Sequence, residues 1–281
     1  MRFGASTFIW VSPFSNDTLH IIEKVKSFGF DILEICIEDP NTIDTDRIKA
    51  TLDKNGVKAL VCGAFGPTRD ISSDDKSIRE QGVEYLKKCI DFSAELGSPI
   101  VSGPMYSATG KTCLLSHSKK KQQWDWAIDN LKKVANYAGE NGVKLAVEPL
   151  NRFETDFLNT VEQGLELIEG INEVNVGLLL DTFHMNLEEK NIGDAIRMAG
   201  EKIFNFHSCE NDRGIPGSGH IPWKEVEIAL KDIEYDGYVI IESFNTDIKE
   251  IARAVSQWRP LAQSQDSIAS EGIVFLKKLL L

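Results

Sequence analysis

The sequence predicts an α/β fold, a single-domain (β/α)8 barrel, on three observations. Short apolar segments rich in β-branched residues recur eight times along the 281 residues. Longer stretches with helical spacing of apolar positions lie between them. The length also suits one such barrel, which takes about 250 residues, with no second domain required. Alternation of short strands with helices implies repeated βα units and a parallel sheet. A doubly wound open sheet is the other arrangement such units allow.

The strand segments fall at 2–9, 31–36, 58–62, 99–103, 144–148, 176–181, 203–208 and 238–242. Helical spacing is clearest over 78–96, where Val83, Leu86, Ile90 and Ala94 share a face, and over 126–138. Asn55-Gly56-Val57-Lys58 and Asn141-Gly142-Val143-Lys144 have the same form: a helix ends on glycine and a strand starts two residues later. Gly29 and Gly97 hold equivalent places, since glycine accepts the left-handed conformation that ends helices. The longer units flanking the fourth strand put extra loop at 65–73 and 106–123. A last helix over 267–281, beyond Trp258, is expected to pack on the barrel or on another subunit.

Composition narrows the function classes. Lys and Arg total 31 against 43 Asp and Glu, a formal net charge of −12. That balance argues against nucleic-acid and anionic-membrane partners. The opening MRFGASTFIWVSPF has one basic residue and an apolar stretch too short for a signal peptide or a membrane span. Cys36, Cys62, Cys89, Cys113 and Cys209 are scattered, odd in number and without a CxxC pair. Neither a disulfide framework nor a thiolate zinc site is expected, and the compartment reads as cytoplasmic.

Chemistry is expected where barrel strands end at their C-terminal face. Four consecutive late strands end there in metal-ligand types: Glu148, Asp181, His207 and Glu242. Each follows an apolar run, so each polar group emerges from a buried strand onto one rim. Any one alone reads equally as a loop carboxylate or a hydrogen-bonded histidine; the shared position in four βα units argues for a common site. Three carboxylates and an imidazole form an oxygen-rich set suited to Mn²⁺, Mg²⁺ or Co²⁺. Glu154, His184 and Arg213 lie on the same loops and offer partners for sugar hydroxyls, or surface ion pairs. Trp10, Phe14, Phe65, Tyr106 and Phe244 fall at or past strand ends, where they line an apolar wall or pack in the core. His20 and His117 read as surface histidines, and Lys119-Lys120-Lys121 as a solvated face. Gly217-Ser218-Gly219-His220 lacks the lysine and spacing of a phosphate loop.

At these residues the chain resembles the ketose 3-epimerase family, which includes D-tagatose, D-psicose (allulose) and L-ribulose 3-epimerases. The resemblance is carried by GFDILEI (29–35), EPLNRFET (148–155), LDTFHMNLEE (180–189), HSCENDRGIPGSGHIPW (207–223), YDGYVIIESF (235–244) and AVSQWR (254–259). It implies one divalent ion held by Glu148, Asp181, His207 and Glu242, with Mn²⁺ foremost and Co²⁺ or Mg²⁺ as alternatives. It implies further that Glu148 and Glu242 are the catalytic acid/base pair, passing a C3 proton through an enediolate. Glu154, His184 and Arg213 would hold the oxygens around C1–C3 of a ketose, in a homodimer or homotetramer. Ser6 stands where several members have an aromatic, Phe14 where several have Trp, and Thr109 near where some carry Trp. Those positions surround the distal carbons of the sugar in the family, so the preferred ketose stays open.

Related barrel enzymes use the same enediolate logic, namely isomerases of the hydroxypyruvate type and dehydratases of the inosose type. An apurinic-site endonuclease would need more histidine ligands than five and basic loops for the phosphate backbone. A non-catalytic sugar-binding role sits poorly with two candidate bases beside a full ligand set.

Overall fold

The computed structural model describes residues 1–281. Eight parallel strands close into a barrel in chain order, β1 (Arg2–Ser6), β2 (Ile32–Ile37), β3 (Lys58–Gly63), β4 (Ile100–Gly103), β5 (Lys144–Val147), β6 (Val176–Asp181), β7 (Ile203–His207) and β8 (Tyr238–Ile241). β8 pairs back onto β1 from Arg2↔Tyr238 to Ala5↔Ile241, which leaves no open edge. The closed ring decides between the barrel and the open sheet. Ten helices accompany the strands: α1 (His20–Ser27), α2 (Thr45–Asn55), α3 (Lys76–Leu96), α4 (His117–Glu140), α5 (Val161–Ile171), α6 (Thr182–Glu188), α7 (Ile192–Ala199), α8 (Trp223–Asp232), α9 (Lys249–Ala254) and α10 (Gln265–Leu280). No helix is long and apolar enough to cross a membrane.

Two apolar layers follow from strand alternation. Inside the barrel, Ile32, Leu60, Ile100, Ala146, Leu179 and Ile240 form a closed cluster, one side chain from each of six strands. Outward-facing residues of the strands join the helices in a second, larger core. Truncating an inner residue such as Leu179 to alanine is expected to cost about 2–5 kcal/mol, because the ring around it cannot collapse. Towards the C-terminal ends the inner layer turns polar. Ser6, Glu34, Ser102 and Asn205 are all fully buried there. Between Leu178 and Leu179 of β6 the pairing to β7 skips Phe204, a bulge on β7 that sets Asn205 and His207 on the inward face. Gly177 permits it, since a Cβ there would lie 2.6 Å from the Phe204 ring.

The structure shifts three expected boundaries. The first strand stops at Ser6, whose Oγ accepts from the Phe8 amide and starts a single turn over Thr7–Ile9. The fourth helix begins at His117, so part of the expected loop 106–123 is helical. Ser116 caps it, accepting from Lys119 N, and Lys121–Asp125 at 2.7 Å adds an i,i+4 pair. That turn is polar all round, so apolar spacing carried no sign of it. The last helix starts at Gln265, capped by Ser264, and packs on the barrel through Ile268, Ile273 and Leu276.

Candidate metal centre and cavity

The four predicted ligands share one level. Asp181 and His207 are the last residues of β6 and β7; Glu148 and Glu242 directly follow β5 and β8. All four are buried, and one ligand atom from each lies within 4.8 Å of the others. Asp181 also caps α6: its Oδ1 accepts from Phe183 N at 2.8 Å, which leaves Oδ2 for the cluster. Nδ1 of His207 faces that cluster, 3.7 Å from Asp181 Oδ2 and 3.5 Å from Glu242 Oε2. It is buried and has no hydrogen-bond partner. Orphaned buried nitrogens are rare in folded proteins. A cation between Nδ1 and the carboxylates removes the anomaly, and the donor set suits a hard divalent ion.

Arg213 closes the cluster from the loop after β7. Its Nη1 donates to Asp181 Oδ2 at 2.6 Å and Glu242 Oε2 at 2.8 Å. The guanidinium lies 4.3 Å from the Phe183 ring centroid and 5.2 Å from that of Phe244. Its backbone is left-handed, with φ 67°, a conformation costing a non-glycine residue about 1–3 kcal/mol that its bonds offset. His184 Nδ1 accepts from the Asn151 amide at 3.1 Å; its Nε2 lies 3.6 Å from Glu148 Oε1. The Asn151 side chain in turn donates to Glu154 Oε1 at 2.8 Å. Arg213, His184, Glu154 and the ligand cluster are thus one connected network.

The surroundings push the two glutamates apart. Burial, then the charges of Glu242 and Asp181, raise the Glu148 carboxyl well above the carboxylate range. Burial acts upward on Glu242 too, but Arg213 and His207 outweigh it and hold that carboxyl low. Asp181 is held low in the same way, burial being overcome by Arg213 and His207. Burial alone would lower His207, yet Glu34 and Glu242 raise it well above the usual histidine value. Burial lowers His184. A divalent ion among these carboxylates would offset the mutual repulsion that helps raise Glu148, so the crowding of charge is itself a reason for the cluster to hold a cation.

A cavity of about 510 Å³ opens over the cluster. Glu148, Glu154, His184, His207, Arg213 and Glu242 line it on the polar side, with Phe65 and Phe244 among its apolar residues. Phe65 lies against Gly103, whose φ of 128° and 2.9 Å clearance to the ring exclude a side chain. Thr109 is on the cavity wall, whereas Ser6 is fully buried beneath it. Trp10, Phe14 and Tyr106 do not reach the cavity, contrary to the apolar-wall expectation. Trp10 turns outward after Thr7–Ile9, stacks on Phe28 and donates from Nε1 to Asp266 at 2.7 Å. Phe14 is fully enclosed in the outer core. Tyr106 stacks on Phe157, and its hydroxyl donates to the Leu158 carbonyl at 3.2 Å. His20, His117 and His220 are exposed, and Lys119, Lys120 and Lys121 pair with Asp74, Asp156 and Asp125 at the surface.

Sequence reading missed four contributors. Glu34, in the apolar run DILEICI, was marked only by a charge where a strand interior should be apolar. Asn151 was visible as part of the NRFE run. Phe8 lines the cavity because the chain turns at Ser6. Glu210 is fully buried and organises the loop that carries Arg213.

Comparison with known proteins gives the same fold and sets the chain beside sugar epimerases. The family model described as Xylose isomerase-like TIM barrel matches residues 22–279. A protein of Synechocystis sp. named "Probable ketose 3-epimerase" is 35% identical over 278 residues, 99% of this chain and 96% of that one. A D-psicose 3-epimerase of Agrobacterium fabrum is 32% identical, with 95% and 93% covered. A solved structure of L-ribulose 3-epimerase superposes with a TM-score of 0.94 at 33% identity, covering 99% of this chain and 94% of that one.

Proposed function

We propose that this chain, which belongs to the Xylose isomerase-like TIM barrel family and within it to the ketose 3-epimerases, inverts C3 of a free ketose such as D-psicose, D-tagatose or L-ribulose. The observation that carries the reading is the convergence of Glu148, Asp181, His207 and Glu242 within 4.8 Å below a sugar-sized cavity. Glu38, Glu148, Glu154, Glu242 and Glu250 line that cavity, and Arg213 is its only lysine or arginine. Because Arg213 is already bonded to two carboxylates, the site offers no cradle for a phosphate, which supports an unphosphorylated substrate.

Held by Glu148, Asp181, His207 and Glu242, a divalent ion (Mn²⁺ first, Co²⁺ or Mg²⁺ as alternatives) supplies the positive charge against which negative charge develops on the sugar oxygens. Glu148 and Glu242 do the proton work. β5 and β8 stand three strands apart in the ring of eight, so their carboxylates reach a bound sugar from different sides. One removes the C3 proton and the other returns a proton to the opposite face, which inverts the carbon. His184, Arg213 and Glu154 orient the oxygens around C1–C3, and the Asn151 bonds to His184 and Glu154 keep those side chains in place. The resemblance supports a homodimer or homotetramer, and five scattered free cysteines are compatible with the proposed cytoplasmic location.

The test is incubation of metal-stripped protein with D-fructose, D-tagatose and L-ribulose in D2O, with and without Mn²⁺, followed by NMR of the sugars. Deuterium at C3 together with the C3 epimer, only when metal is present, is the expected result. Label at C1 with an aldose product would replace epimerisation by isomerisation. Turnover that survives exhaustive metal removal would sink the metal-assisted reading.

A further inference from the structure

Glu34 stands mid-strand in β2, between Leu33 and Ile35, and is fully buried. Packing gives no reason for a carboxylate there, since an apolar residue would fill the barrel without the desolvation cost. Its Oε1 is hydrogen-bonded across the barrel instead, while Oε2 has no hydrogen-bond partner and lies beside the same histidine ring. Oε1 accepts from the Asn205 amide at 2.9 Å, and the same amide reaches Ser102 Oγ at 3.1 Å. Oε1 and Oε2 lie 3.2 and 3.0 Å from Nε2 of His207. The bulge at Phe204 is what puts Asn205 and His207 together on the face that Glu34 meets.

This arrangement decides which ring nitrogen carries the hydrogen. A carboxylate accepts and does not donate, so the neutral imidazole keeps its hydrogen on Nε2. In the neutral ring Nδ1 then carries the lone pair, and it is the atom that faces Asp181 and Glu242 without a hydrogen-bond partner. The nitrogen that Glu34 leaves free is the one aimed at the other three ligands.

We propose that Glu34 is a positioning residue: its carboxylate fixes the His207 ring in the Nε2–H tautomer and so presents Nδ1 to the cation, an inference that rests on the metal reading above. Asn205 holds Glu34 in turn and is itself bonded to Ser102, so the alignment is set by β2, β7 and β4 and not by the rim loops. Partners of this kind behind a metal-binding histidine contribute about 10–100-fold in metal affinity.

The experiment is titration of Mn²⁺ into metal-stripped wild-type, Glu34→Gln and Glu34→Ala proteins without sugar, with free Mn²⁺ read by electron paramagnetic resonance. Glu34→Ala is expected to weaken binding by about 10–100-fold. Glu34→Gln keeps an acceptor for the ring and loses the charge, so it should fall between. A second measurement needs no variant: ¹⁵N NMR of histidine-labelled wild-type protein loaded with Mg²⁺ should show hydrogen on Nε2 of His207 and none on Nδ1. Wild-type affinity in Glu34→Ala, or hydrogen on Nδ1 in the loaded protein, would overturn the inference while the metal reading stands. A wild-type chain that takes up no Mn²⁺ would overturn the metal reading, and the role of Glu34 with it.

Discussion

Glu210 offers a quantitative test of how the Arg213 loop is held. Its Oε1 accepts from the Asn211 and Ile221 amides at 3.1 and 3.0 Å. Its Oε2 accepts from the Gly217 amide and the Trp223 indole at 2.8 and 2.9 Å. Four donors on one fully buried carboxylate pin both ends of the loop between β7 and α8. Glu210→Gln replaces one oxygen by an NH2 group, which faces two donors with another donor. Each buried donor left unpaired costs about 1–3 kcal/mol, so about 3 kcal/mol is a moderate expectation for two. For a chain of this size that corresponds to a fall in Tm of roughly 6–12 °C. The pH dependence has a definite sign. Burial alone would raise the Glu210 carboxyl, but its bonds to Ile221, Trp223, Asn211 and Gly217 hold it below the usual value. A depressed folded pKa gives stability that is full above the unfolded pKa, near about 4.3, and is lost as pH falls through the folded value. The gap between wild type and Glu210→Gln should therefore be full at pH 7 and narrow in the acid range. Thermal unfolding by circular dichroism over that range measures it. A Tm equal to wild type at neutral pH, or a gap that does not narrow in acid, would refute the reasoning.

Other outcomes follow from the same structure. Glu148→Gln and Glu242→Gln, assayed at saturating Mn²⁺, should each reduce C3 proton exchange by about 10²–10⁴-fold, the usual worth of a general acid or base; exchange at the wild-type rate in either would remove that carboxylate from the chemistry. Trp10→Phe loses the Nε1 bond to Asp266, a charged acceptor, and should cost about 1.5–3 kcal/mol in unfolding free energy while leaving the order of preferred ketoses unchanged. An altered order, measured as kcat/KM across the three sugars, would return Trp10 to the sugar-binding wall.

The parts legible in the sequence were those where one physical rule acts alone. Buried strands must be apolar, so eight apolar runs located the strands, and a carboxylate at the end of such a run marked the rim. The polar first turn of α4 had no apolar stripe and needed its cap at Ser116 to be seen. The aromatics failed for a different reason. A ring at a strand end faces the cavity or the helices according to one residue of parity, and the turn at Thr7–Ile9 resets that parity for Phe8 and Trp10 in opposite senses. Glu34 lies within GFDILEI, but its role is not legible there, because its meaning lies in a histidine on the far side of the barrel.

The C-terminal helix does more than cover the outer core. Gln265 donates from Nε2 to the carbonyls of Ile9 and Phe244, at 2.6 and 3.0 Å, and Gln257 reaches the same Phe244 carbonyl at 3.2 Å. The tail is therefore a tether on the backbone behind the cavity wall, at the seam where the last strand meets the first. Proteolytic clipping or a bulky fusion near α10 would slacken that wall from behind, and the damage would register as looser grip on the sugar before the barrel itself gave way.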